Sequence, residues 1–278
     1  AARDISEPIA EMQDIGLPSI LEVIQEGIGV ERSTRPSALT AGLRARRENV
    51  FLDRFESLSY QHRMHPQISE FSREVIYHGS SLKDANTIQS RDVKLGWDFG
   101  KFRSRRVWAH VHGREHQGEN QDEVRAIAAI LREFIAWARK KGTPTRNAPG
   151  LWEVACLCFY VKQERALSQM LQEVTQDDRK TRFRVRDAPI EVVCGTVDRF
   201  QGREADLVML SMRNTERIGF LDSPNRLNVA VTRARQQLVV VGNAEYFASC
   251  RISELEELAQ RTPQVDEQDI RRWRRSKQ

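Results

Sequence analysis

The stretch RLNVAVTRARQQLVVVGN, Arg226 to Asn243, sets Arg233 and Arg235 two residues apart where a helical pattern meets an apolar run. A guanidinium is the side chain best matched to a phosphate, because its planar fork meets two oxygens at once. Read as a helix over 224–234, the stretch buries Leu227, Ala230, Val231 and Ala234. Successive helical positions turn by about 100°. Arg233 and Arg235 then stand about 200° apart and cannot share a target. Arg233 falls in line with Arg226, while Arg235 joins Asn225, Asn228 and Thr232 on the other flank. Two more clusters carry similar chemistry. TVDRFQGREADLVMLSM, 196–212, packs Thr196, Asp198, Gln201 and Glu204 around a turn at Gly202. LSYQHRMHPQISEF, 58–71, brings His62, Arg63 and His65 to a helix start at Pro66. Free N–H groups at a helix start attract anions. Plainer roles exist for each: arginines favoured near a helix C-terminus, turn chemistry at Gly202 and Asp206, and His65 as a cap.

HVHGREH raises metal chemistry, since His110 and His112 share one strand face as two ligands would. No compact acidic motif accompanies them, and a strand running into a polar loop explains them better. Cys156, Cys158, Cys194 and Cys250 form no CxxC pair. Neither zinc nor a disulfide framework is expected, and no residue is assigned to a metal.

These groups need a frame. Helical patterns run over 65–77, 120–142, 161–174 and 245–260, with apolar strands at 107–113, 153–160, 190–197, 206–212 and 237–243. Strands alternating with helices predict an α/β fold: a three-layer, mostly parallel sheet with helices on both faces. Ligands of such sheets sit outside the carboxyl ends of strands. That points to the loops after 112, 160, 197, 212 and 243, and would put the Thr196–Glu204 cluster at a strand's carboxyl end. Residues 85–118 read as a looser excursion, and 143–150 as a linker. The expected organisation is a boundary segment over 1–57 with a short helix at 17–27, a main domain over 58–260, and a basic tail over 261–278.

Composition bounds the rest. The 278 residues are 40% hydrophobic with a formal charge of +5. No stretch approaches the roughly 18 apolar residues of a membrane span, and the N-terminal residues lack the order of a signal peptide. A protein of the cell interior, in the cytoplasm, is expected, with no membrane partner and as a monomer. Cations concentrate in 32–54 and in the tail RRWRRSKQ, where Trp273 could stack on a base.

QHRMHPQISEF, TVDRFQGREADLVMLSM and GFLDSPNRLNVAVTRARQQLVVVGN, in that order, resemble motifs IV, V and VI of superfamily 1 helicases. The subgroup of the nonsense-mediated-decay RNA helicase and the Okazaki-fragment helicase–nuclease is the most similar. CLCFYVKQ, 156–163, and ENQDEV, 119–124, resemble weaker family segments. The resemblance implies the second RecA-like domain of a two-domain motor, a P-loop NTPase-type fold without the P-loop. ATP and Mg would be held mainly by a first domain. By position, Arg63 and Arg233 would contact the γ-phosphate. Glu204, after Gly202 in QGRE, would bind the nucleotide sugar, and His62 would stack on the base. Thr196, Tyr160 and Lys162 would meet a single strand of DNA or RNA. Arg235 would be structural.

The sequence departs from the family pattern in three ways. His62 replaces a tyrosine, offering a smaller face. Leu157-Cys158-Phe159-Tyr160 replaces Ile-Thr-Pro-Tyr, so a thiol stands where a hydroxyl would meet phosphate. No G-x-x-x-x-G-K-[ST] segment is found; GWDFGK, 96–101, is one residue short. The chain is therefore expected to be inactive as an ATPase alone and to need the N-terminal RecA-like domain of its own polypeptide. A stand-alone, non-catalytic module binding nucleic acid or protein is the alternative.

Overall fold

A computed structural model describes residues 59–77, 82–145, 150–216, 218–222 and 224–272. The chain divides into two units, Ala1–Leu58 and Ser59–Gln278. All described residues belong to the second. The helix expected at 17–27, the basic stretch 32–54 and Trp273 lie outside them.

A two-stranded parallel ribbon, β1 (Tyr60–Gln61) with β2 (Lys83–Asp84), flanks α1 (Pro66–Phe71), which continues through a π-helical turn at Ser72–Ile76. Then come α2 (Thr87–Leu95), β3 (Arg106–His110), α3 (Gln121–Lys141), β4 (Trp152–Cys158) and α4 (Val161–Thr175). They are followed by β5 (Arg182–Arg184), β6 (Ile190–Thr196), β7 (Ala205–Ser211), α5 (Pro224–Val231) and β8 (Ala234–Gly242). The series closes with α6 (Ala244–Phe247), α7 (Ser253–Arg261), β9 (Gln264–Asp266) and α8 (Glu267–Arg272).

The seven-stranded sheet runs β5-β6-β4-β7-β8-β3-β9, parallel except for the β5 edge. Alternation decides the layers. Val154, Cys156, Leu207, Met209, Val239 and Val241 face α3 and α4, while Ala155, Leu157, Val208, Leu210, Leu238 and Val240 face α1, α5 and α7. Both faces are buried, which is why these strands read as unbroken apolar runs. The expected three-layer α/β architecture is thus observed.

Helix α3 is specified from both ends. Asn120 caps it by accepting from the Glu123 N–H, and Arg139, Lys140 and Lys141 fill the last turn before Gly142 at φ +77°. Other elements differ from expectation. α5 stops at Val231 and β8 begins at Ala234, so Arg233 lies in the junction and Arg235 in a strand. The pattern Val229-Ala230-Val231-Thr232 suits either structure; the helix holds it as far as Val231, and pairing with β7 from Ala234 onward makes the residues that follow strand. The helix expected over 245–260 is two helices, α6 and α7, with Arg251 left-handed between them at φ +64°. Residues 85–118 are not loose: Trp97, Phe99 and Phe102 are buried beside Phe134, and β3 is buried throughout. Beyond residue 260 the sheet gains β9 and the fold gains α8.

Candidate functional site

The sequence-marked residues fall at two opposite ends of the sheet. Glu204 immediately precedes β7, and Arg233 and Arg235 bracket the start of β8, so this group sits at amino ends. That overturns the expectation that the Glu204 cluster lies at a carboxyl end: the chain returns along the sheet between Thr196 and Ala205. Thr196 closes β6 and Tyr160 follows β4, at carboxyl ends. Seven-residue strands rising about 3.3 Å per residue separate the two groups by about 20 Å.

At the amino ends, Arg63 lies in the loop between β1 and α1. Gln61 Oε1 accepts from the N–H groups of Arg63 at 2.9 Å and Met64 at 2.8 Å, and the His65 N–H donates to the Arg235 carbonyl at 2.8 Å. His65 Nδ1 caps α1 by accepting from Gln67 N–H, the plainer role anticipated for it. Burial, and then the charge of Arg105, lower its pKa. The Arg63 guanidinium donates to Glu204 and, at 3.2 Å, to the Thr232 carbonyl. Arg235 also donates to Glu204, at 3.1 Å, and pairs with Glu153 and with buried Asp206.

The two arginines of TRAR therefore differ in kind. Arg235 is held by three carboxylates. Burial opposes its charge, but Asp206, Glu153 and Glu204 overcome it and raise its pKa. Arg233 rests on two backbone carbonyls, Val229 at 3.0 Å and Arg203 at 3.2 Å. Burial and then the charge of Arg63 lower its pKa, only partly offset by Glu204. For Glu204, burial resists ionisation, yet the Arg63 hydrogen bond and the charges of Arg235 and Arg63 carry its pKa down. Arg63, Glu204 and Arg233 thus form one electrostatic cluster. The expectation that Arg235 works on an opposite flank fails, because it shares Glu204 with Arg63.

Gly202 takes φ +83° with open space where a side chain would lie, so the backbone there is accessible. His62 is exposed, its Nδ1 3.5 Å from Thr87 Oγ1. A cleft of about 540 Å³ opens beside Glu204 and Arg235, walled by Thr87, Arg91, Lys94 and Gln236.

At the carboxyl ends, Cys158 and Thr196 are register partners. Tyr160 is not an open platform: Arg213 lies 3.4 Å over its ring, and its hydroxyl donates to the Ile218 carbonyl and accepts from Asn214. Lys162 is exposed and donates to the Gln117 carbonyl at 3.0 Å. Beneath them, Glu123 accepts from Ser211 Oγ at 2.6 Å, the Arg213 N–H at 2.9 Å and Asn120 Nδ2 at 3.2 Å. Gln163 ties Asn120 to Ser211. Burial pushes the Glu123 carboxyl up to about 8 against the pull of those donors. Sequence reasoning noticed ENQDEV without assigning it this role, and missed Arg213, whose partners Tyr160, Gly118 and Glu115 are distant in the chain.

His110 accepts from the Ala244 N–H through Nδ1 and meets His112 through Nε2 at 3.2 Å, so both of its ring nitrogens have partners. Among the described residues, no group of three His, Cys, Asp or Glu side chains could hold a metal ion. No described helix is long and apolar enough to cross a membrane.

Comparison with known proteins follows the same lines. Residues 44–245 match the AAA domain family. The chain belongs to that family, as the C-terminal domain type of superfamily 1 helicases. It is 32% identical to the DNA polymerase alpha-associated DNA helicase A of Saccharomyces cerevisiae, over 71% of this chain and 29% of that protein. It is 33% identical to the ATP-dependent helicase NAM7 of the same yeast, over 69% of this chain and 19% of that one. The Schizosaccharomyces pombe helicase required for RNAi-mediated heterochromatin assembly 1 is 29% identical over 83% of this chain and 22% of its own length. The chain thus spans less than a third of each of these relatives. A solved C-terminal domain of a possible DNA helicase from Lactobacillus plantarum aligns with a TM-score of 0.41 at 16% identity, covering 74% of this chain and 99% of that one.

Proposed function

We propose that the chain is the C-terminal motor half of an ATP-dependent nucleic-acid helicase or translocase. It supplies arginine fingers from one end of its sheet and part of a single-strand track from the other. The observation that carries this reading is the contrast between Arg233 and Arg235. A guanidinium seated on backbone carbonyls keeps its charge for an incoming anion, whereas one held by three carboxylates does not.

In this reading Arg63 and Arg233 stabilise the charge that develops on the γ-phosphate during transfer. Glu204, its pKa lowered, is an acceptor for sugar hydroxyls, Gly202 gives the backbone close approach, and exposed His62 lies against the base. These residues fit a nucleotide's phosphate, sugar and base. Among the described residues no group of three His, Cys, Asp or Glu side chains could hold a metal ion; in this reading the phosphate loop and the carboxylates for ATP and Mg come from a first RecA-like domain. Thr196 and Lys162 contact a DNA or RNA backbone. Tyr160 contributes by holding Arg213, Asn214 and Ile218.

The test is a pair of measurements. This chain alone should show no strand-stimulated ATP turnover. The full-length polypeptide should turn over ATP and lose it on Arg233→Ala while still binding nucleotide. Wild-type turnover in that variant would sink the finger assignment. The second reading, a stand-alone binding module, gains from the exposed Lys162 in the first turn of α4, at the carboxyl end of the sheet. It would take precedence if the native polypeptide ended with this domain and bound oligonucleotide without any ATPase partner.

A further inference from the structure

The Arg63 loop is fixed from its N–H side by Gln61, and its carbonyl side is held by a residue the sequence did not single out. Arg91, on α2, donates from Nη1 to the His62 carbonyl and from Nη2 to the Arg63 carbonyl, both at 2.8 Å. One planar guanidinium thus bridges two successive carbonyls. The same Nη2, with Nε, also reaches Asp92 Oδ1, at 3.2 and 3.3 Å. Asp92 Oδ1 in turn accepts from Gln236 Nε2 at 2.7 Å, next to Arg235 in β8. Helix α2 therefore ties the Arg63 loop to the strand that begins beside Arg233.

We infer that Arg91 is a positioning residue for nucleotide turnover. It sets the peptide plane between His62 and Arg63, and so the direction from which the Arg63 side chain leaves the backbone. This rests on the proposed role of Arg63. The loop has little regular structure of its own: β1 is two residues long and α1 starts only at Pro66. Without the fork, the loop keeps only Gln61 on its N–H side and the Arg63 guanidinium's own bonds to Glu204 and Thr232, and the Arg63 side chain is placed less precisely. A small misplacement is costly for a group that must meet charge only in the transition state, and about 1 Å can cost 10²-fold. Ground-state binding of nucleotide need not suffer.

The experiment uses the full-length polypeptide with Arg91→Ala, Arg91→Lys, Arg63→Ala and the Arg63→Ala/Arg91→Ala double variant. Steady-state ATP hydrolysis with saturating single strand should show kcat reduced about 10- to 100-fold in Arg91→Ala with KM changed less. Arg91→Lys, able to meet one carbonyl, should fall between. The second readout is binding of fluorescent ADP with and without aluminium fluoride. Arg91→Ala should bind ADP normally and lose the tightening that aluminium fluoride gives. In the double variant, the Arg91 change should cost nothing beyond Arg63→Ala. Parental kcat and normal tightening in Arg91→Ala, with Arg63→Ala inactive, would overturn the positioning role alone. An additive double variant would do the same, since Arg91 would then act through something else. Normal turnover in Arg63→Ala would remove both the proposed finger and its positioner. Should Arg91→Ala fail to fold, Arg91→Lys carries the same cycle.

Discussion

Arg235→Ala is predicted to damage stability. The Arg235 side chain is 14% exposed, and its partner Asp206 is 1% exposed at 3.1 Å. Deleting the arginine strands a buried carboxylate. Breaking a buried pair from one side costs about 3–5 kcal/mol. Asp206 keeps the Glu153 N–H at 2.9 Å, which favours the lower end, about 3 kcal/mol. Glu153 and Glu204 are 45% and 38% exposed, so solvent screens their share and they add little. In a unit of this size each kcal/mol lowers Tm by about 2–4 °C, giving a fall of about 6–12 °C. Urea unfolding of this chain, followed through buried Trp108 and Trp152, measures the loss. Arg233→Ala is the control. It removes a cation that rests on two neutral carbonyls and should cost about 1 kcal/mol or less. An Arg235→Ala loss below about 1 kcal/mol, or a larger loss for Arg233→Ala, would refute this division of labour.

In the full-length polypeptide, Arg233→Ala and Arg63→Ala should each lower kcat by about 10²-fold or more with nucleotide affinity retained, read by steady-state hydrolysis beside equilibrium nucleotide binding. Glu123 sets a pH dependence. Its folded pKa of about 8 lies above the ordinary carboxylate value, so between about 4.3 and 8 the folded state holds a proton that the unfolded state has lost. Its contribution is complete below about pH 4.3 and is lost as pH rises through about 8, with a slope of up to about 1.4 kcal/mol per pH unit. Glu123→Gln should flatten that part of the stability profile; an unchanged slope would mean that Glu123 is ionised in the fold. Gly219→Ala should break the contact of Tyr160 with Asn214 and Ile218, because a Cβ there meets the Tyr160 hydroxyl at 2.7 Å in a left-handed backbone at φ +56°; faster amide exchange at Asn214 and Ile218 is the expected result. Lys162→Glu should weaken oligonucleotide binding by this chain and reduce its salt slope by about 1.

The legible parts of the sequence were those where one period dominates. The apolar stripe and the caps of α3 gave its limits to within a residue, and the buried strands announced themselves as apolar runs. Legibility failed where two periods coexist. At the α5–β8 junction, short and β-branched residues satisfy both helix and strand, so Arg235 was placed on the wrong element. Strand β5 was hidden by its charges: Phe183 and Val185 are buried between exposed arginines, a period-two signal in a stretch that reads as a basic loop. Trp97, Phe99 and Phe102 have no helical or strand period, because they pack as an edge-to-face cluster rather than along one element. For the site, residue types indicated which side chains matter but not which end of the sheet they occupy. The position of Glu204 directly before an apolar run did carry that information. Arg91 gave no signal, since its targets are backbone carbonyls and any residue supplies those.

The separation of the two ends argues for how the domain would work. Strand β7 begins beside Glu204 and ends at Ser211, whose hydroxyl donates to Glu123 beneath the Arg213–Tyr160 pair. It is buried along its whole length and paired on both sides, with β4 and β8. Such a strand cannot bend or slip to relay a local change, because a slip of one residue would turn its apolar side chains to the wrong layer. Events at the arginine end would therefore reach the carboxyl end as movement of the whole domain, the sheet acting as one rigid lever. Only the loops are free to respond locally, and each of the two clusters is built on loops tied down by a few named hydrogen bonds: Arg91 and Gln61 at one end, Tyr160, Asn214 and Glu123 at the other. Weakening those ties should uncouple a loop from the lever while leaving the sheet intact.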